Sequence, residues 1–117
     1  MSSYGKRKGA TFETSVVKFL RSVGFTAERL TKAGAKDEGD VVVFIDGKSV
    51  ILELKATKSL DLPQYWREAT VEAQHYADAR GLKETPLRYV IVKRRQAGID
   101  EAWVIEDLKQ WTKRNGQ

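Results

Sequence analysis

The stretch "EGDVVVFIDGKSVILELK", residues 38–55, decides the fold. Two apolar runs flank Asp46-Gly47, a pair suited to a two-residue hairpin turn. Pairing outward sets Ile45 opposite Lys48, then Phe44 with Ser49, Val43 with Val50, Val42 with Ile51 and Val41 with Leu52. The next pair is Asp40 with Glu53, so the register brings two carboxylates together, with Cβ atoms about 4.5–5.5 Å apart. Lys55 shares the face of Glu53, because side chains alternate along a strand. Opposed carboxylates in half-dry surroundings repel each other, and a divalent cation removes the repulsion. An all-oxygen ligand set in a chain without cysteine favours Mg²⁺ or Mn²⁺ over Zn²⁺. The competing reading is a strand-end salt bridge, with Lys55 neutralising Glu53 and Asp40 turned into solvent.

Outward from the hairpin, Phe12, Val16, Phe19, Leu20 and Val23 recur at helical spacing and predict a helix from about Gly9 to Val23, closed by Gly24. "FTAERL" reads as a short strand and "TKAGAKDEG" as a loop. Beyond the hairpin, Asp61 and Pro63 open a second helix that runs to about Arg80 and closes at Gly81. "LRYVIVK" is a strand, "AWVI" a second candidate, and "EDLKQWTKR" a last helix. The order α-β-β-β-α-β, with a further strand and helix, predicts an α/β fold with a mixed central sheet flanked by helices. Residues 1–8 read as a flexible basic arm and 9–117 as a single domain.

The net charge of +5 is unevenly spread. Residues 1–36 hold eight Lys and Arg against Glu13 and Glu28, so the rest of the chain is slightly acidic. On charge alone such asymmetry suits either a polyanion partner, nucleic acid before membrane, or a solvated basic tail. Lys6, Arg7, Lys8, Arg29, Lys32 and Lys36 are candidate phosphate contacts, giving affinity with little sequence preference. No apolar run approaches the roughly 18 residues that span a bilayer, and the polar start carries no signal-peptide pattern. The expectation is a soluble, cytoplasmic protein.

Asp40 followed by "ELK" after a β-hairpin resembles the motif of the PD-(D/E)XK nucleases, with Gly39 in place of the proline. "RKGATFE", then "GF…ER", then the motif, is similar to the archaeal-type Holliday-junction resolvases over roughly residues 6–93. The loop "TKAGAKDEGD" lacks the serine those resolvases usually carry. The resemblance implies a restriction-endonuclease-like core and a Mg²⁺- or Mn²⁺-dependent endonuclease acting on branched DNA. It implies that Asp40 and Glu53 bind the metal, with the Leu54 carbonyl as a further candidate ligand. Lys55 assists the attacking water. Glu13 adds a helix-borne metal contact, and Arg29 and Gln74 lie near the DNA.

Resolving a four-way junction takes two symmetric cuts, so a homodimer is expected, with Tyr65 and Trp66 as candidate interface residues. The last strand and helix exceed the minimal resolvase core, and a short phage- or plasmid-type resolvase, or a related repair nuclease, would accommodate them together with the missing serine. The alternatives are a repair or exonuclease-like enzyme acting on ends or flaps, and a non-catalytic DNA-binding subunit of the same fold.

Overall fold

The computed structural model describes residues 3–31 and 36–116, with residues 3–10 described through their backbone alone. The elements are α1 (Ser3–Ser22), β1 (Thr26–Arg29), β2 (Val41–Ile45), β3 (Lys48–Lys55), α2 (Leu62–Arg80), β4 (Leu87–Val92), a 3-10 turn at Ile99–Glu101, β5 (Trp103–Ile105) and α3 (Leu108–Asn115). The strands form one sheet in chain order, β1-β2-β3-β4-β5. Neighbours are antiparallel except β3 and β4, which run parallel. A parallel pair needs a long crossover, and α2 supplies it. The sheet is therefore mixed, as the element order predicts.

Alternation along the hairpin sends its side chains to two cores. Val41, Val43, Val50 and Leu52 face α1 and pack with Phe12, Val16 and Val17. Val42 and Ile51 face α2 and pack with Ala73 and Tyr76. Further along, Tyr65 and Ala69 of α2 cover Val90 and Val92. Ala69 and Ala73 are completely buried, so two small side chains bring α2 close to the sheet. Asp61 caps the helix, its side chain accepting from Gln64 N–H at 3.2 Å. Glu53 and Lys55, which share the face of Ile51, are thus held in the gap between sheet and α2.

Some expected boundaries move. α1 begins at Ser3 rather than Gly9, because "SYGKRK" contains no proline and its Lys and Arg are good helix formers. Backbone residues 3–8 are therefore helical. The side chains of Lys6, Arg7 and Lys8, and Lys32 entirely, lie outside the described residues. "AWVI" does form a strand, β5, paired with β4. Among the described residues no helix is long and apolar enough to cross a membrane.

Candidate active site

The hairpin register runs from Ile45–Lys48 to Val41–Leu52 as the sequence predicts. It breaks at Asp40, whose N–H donates to Leu52 O at 3.1 Å, one residue out of step with the rest of the ladder. The expected flat Asp40–Glu53 pair is therefore replaced by a tighter turn. Gly39 causes it, with φ of +107°. A Cβ there would sit 2.5 Å from Ile51 Cγ2, and proline, fixed near −65°, cannot adopt this backbone. The Asp40 side chain folds back, and Leu54 N–H donates to Asp40 Oδ2 at 2.8 Å.

The two carboxylates still meet. Burial, then the Glu53 charge, push the Asp40 carboxyl up to about 8. Burial, then contact with Glu72, push Glu53 up to about 8. Asp40 is therefore not turned into solvent. Lys55 Nζ lies 3.2 Å from Glu53 Oε2 and 3.1 Å from Glu68 Oε1, and 4.8 Å above the Tyr65 ring. Burial alone would lower its pKa, but Glu53 and Glu68 outweigh that and raise it. Lys55 is an ammonium ion here.

Glu13 arrives from the α1 side and bonds Arg29 at 2.6 Å. Its charge is felt at Asp40, as the weakest of the influences there. Arg29 remains half-exposed beside it, and Lys36 is exposed. Gln74 lies elsewhere. It is exposed, donates to Asp78 at 2.8 Å and accepts from Thr85. Two positions past Glu72 on a 3.6-residue helix, it points to the opposite side.

Tyr65 is not an interface residue either. It is buried and bonded to Thr57 and Ser59. Trp66 is partly buried against the same core cluster, with Arg88 over its ring. His75 plays a structural part, its Nδ1 2.8 Å from Asp37 O. With the 3.1 Å Arg80–Glu38 pair, it ties the segment before Asp40 to α2.

Sequence reasoning missed two groups. Glu68 and Glu72 come from α2, and Glu72 is buried. It sits in the row Tyr65–Ala69–Glu72–Ala73–Tyr76, the buried stripe of the helix. A carboxylate within such a stripe is the signal that could have found it. The second group is basic: Lys58 after β3 and Lys93, Arg94 and Arg95 after β4 line shallow depressions just beyond Lys55. Lys93 N–H donates to Lys55 O at 2.9 Å, so the parallel pairing sets the basic segment after β4 beside the end of β3.

The donor set suits a hard divalent cation. Among the described residues no three Asp, Glu or His side chains form a ready-made metal cage. Mg²⁺ does not need one, since it is commonly held by one or two carboxylates with water and substrate phosphate completing its shell. The observation that fits is Glu53 Oε1, buried and without a hydrogen-bond partner, in a residue next to a second carboxyl held equally high. A buried polar atom left in this way is costly.

No curated protein matches the sequence. A solved structure at 1.6 Å, Hjc of Archaeoglobus fulgidus, "a Holliday junction resolvase from an archaeal hyperthermophile", matches with a TM-score of 0.54 and 21% identity. The match covers 88% of this chain and 91% of that one, and speaks for the fold. The sequence profile described as archaeal Holliday junction resolvase (Hjc) matches residues 4–80. Those residues run from α1 through α2, so the profile takes in Glu13, Asp40, Glu53 and Lys55 together with the elements that position them. The chain belongs to the archaeal Holliday junction resolvase family, and with it to the endonucleases that resolve branched DNA.

Proposed function

We propose that this resolvase depends on a divalent cation, Mg²⁺ or Mn²⁺, seated at Asp40 and Glu53, and that it cuts four-way junctions as a homodimer. The observation that carries the reading is the buried, unpartnered Glu53 Oε1 beside Asp40 and Lys55. When bound, the cation supplies Lewis-acid polarisation of the scissile phosphate and a lower pKa for water. Asp40 is oriented for this by Leu54 N–H. Lys55, kept protonated by Glu53 and Glu68, donates to developing negative charge on the phosphate. In this state it is a donor, and a base role would require it to lose that proton first. Glu13, pinned by Arg29, stands as an outer carboxylate at the Asp40 side.

Lys6, Arg7, Lys8, Arg29, Lys32 and Lys36 hold the DNA backbone, and Lys58, Lys93 and Arg95 add to them. Gln74, facing away from the cluster, contacts DNA only outside the cleavage centre. For the homodimer, support comes from exposed Trp103, Val104, Leu108 and Trp111 on β5 and α3, since β5 is a sheet edge. Cleavage of a four-way junction and a linear duplex, with Mg²⁺ and with excess chelator, tests the reading, alongside light scattering. Paired nicks in the junction that need Mg²⁺, made by a dimer, are expected. Full activity in chelator overturns the metal, and digestion from duplex ends overturns the substrate.

A further inference from the structure

Glu72 plays no part in the cleavage chemistry proposed for Asp40, Glu53 and Lys55. Yet it is one of three buried polar or charged side chains in the described structure, with Glu53 and Gln110. Gln110 is fully engaged, bonding Arg88 and Glu106. Glu72 is not. It is 8% exposed and its Oε1 has no hydrogen-bond partner. Glu53, 6% exposed, has an unpartnered Oε1 as well. The two carboxyls are in contact across the gap between α2 and β3.

The nearest cation does not resolve this. Lys55 is shared between Glu53 Oε2 and Glu68 Oε1, leaving the Glu53–Glu72 contact without a positive charge. Other charges make matters worse, because Asp37, Asp40 and Glu68 all act on Glu72 in the same unfavourable sense. A buried acid facing another acid, with an unpartnered oxygen on each, is expensive unless a cation or a shared proton lies between them. Nothing in the packing requires an acid here. The neighbours Ala69, Ala73 and Tyr76 form an apolar stripe that Leu or Met would continue.

Glu53 thus has two carboxyl partners, Asp40 and Glu72. We propose that Glu53 and Glu72 form a second divalent-cation seat, separate from that of Asp40 and Glu53 and sharing Glu53 with it. The ligand class is a hard cation, Mg²⁺ or Mn²⁺, because every donor is a carboxylate oxygen. Two cations sharing a carboxylate can serve the attacking and leaving oxygens of a phosphodiester separately. That makes α2, and not only the hairpin, part of the catalytic centre.

The inference rests on the Asp40–Glu53 seat, and its test separates the two. Mn²⁺ is titrated calorimetrically into the full chain and into Glu72→Gln and Asp40→Asn. Two ions per chain are expected in the wild type and one in Glu72→Gln. Melting without metal checks that Glu72→Gln is folded, and the rise in melting temperature on adding Mn²⁺ should shrink in that variant. One ion in the wild type, or two that Glu72→Gln leaves in place, overturns the second seat and means that the acids share only a proton. If the wild type binds one ion and Asp40→Asn removes it, the first seat stands alone. No binding at all removes both.

Discussion

Leu54 N–H donates to Asp40 Oδ2 at 2.8 Å, so the middle residue of the "ELK" motif orients the carboxylate that precedes the hairpin. An amide oxygen can accept the same bond. Asp40→Asn should therefore keep the fold and junction affinity while losing cleavage by about 100-fold or more. Asp40→Ala removes the acceptor and should in addition cost about 1 kcal/mol of stability. Junction-cleavage rates and melting curves of the two variants check this. Equal stability of both would show that the bond does not hold the turn.

Lys55 is the cation of the cluster, held 3.2 Å from Glu53 and 3.1 Å from Glu68. Lys55→Ala should lower the single-turnover rate by about 10²–10⁴-fold with little change in junction affinity, because the candidate phosphate contacts lie elsewhere. A wild-type rate would reduce Lys55 to a salt-bridge partner.

The hairpin was legible because Asp46 and Gly47, at φ of 52° and 77°, form the turn that fixes its register. The cluster of Asp40, Glu53 and Lys55 followed from that register and from strand alternation. The break at Asp40 did not, because the sign of φ at Gly39 is set by close approach to Ile51, a tertiary contact. Glu72 was readable in the helical stripe, whereas Gln74 was placed by motif likeness, and helix phase turns it away. The cations at Lys58 and Lys93–Arg95 converge only once β3 and β4 pair in parallel, which no local pattern states.

Gly39→Ala should destabilise the protein by about 1–3 kcal/mol, from strain at positive φ and from the 2.5 Å approach to Ile51 Cγ2. Gly39→Pro should be worse, although proline is the residue of the motif's name. Chemical denaturation measures both. A neutral Gly39→Pro would mean that the turn before Asp40 can re-form with ordinary backbone angles.

Carboxyls held near 8 at Asp40 and Glu53 and near 7 at Glu72 make metal-free stability depend on pH. In the unfolded chain these groups lose their protons near pH 4. Between about pH 4 and 8 the folded chain holds more protons than the unfolded one, so stability falls as pH rises. Without metal, the melting temperature should drop from pH 5 to pH 8, and saturating Mg²⁺ should restore it chiefly at the upper end. Asp40→Asn should flatten the metal-free slope. A metal-free protein with the same melting temperature at pH 5 and 8 would show that these acids ionise freely in the fold.

Junction binding should be salt-dependent through two separate basic groups. One lies on α1, where Lys6, Arg7 and Lys8 fall in the opening turns of the helix backbone. The other lies past the ends of β3 and β4, where Lys58, Lys93 and Arg95 line the depressions next to Lys55. Removing a cation that touches one phosphate should flatten the plot of log affinity against log salt by up to about 0.9. Alanine at Lys58, Lys93 and Arg95 together should flatten it and slow cleavage, because these cations follow the ends of β3 and β4, where Lys93 N–H donates to Lys55 O. Alanine at Lys6, Arg7 and Lys8 should flatten it with a smaller effect on the rate at saturating enzyme. Arg94 makes a useful control. It lies 3.7 Å from Glu101 and stacks on Trp103 at 4.4 Å, so Arg94→Ala should affect the 3-10 turn more than the slope. If only the α1 group moves the slope, DNA approaches the site from one side, and the cations after β4 serve the fold rather than the junction.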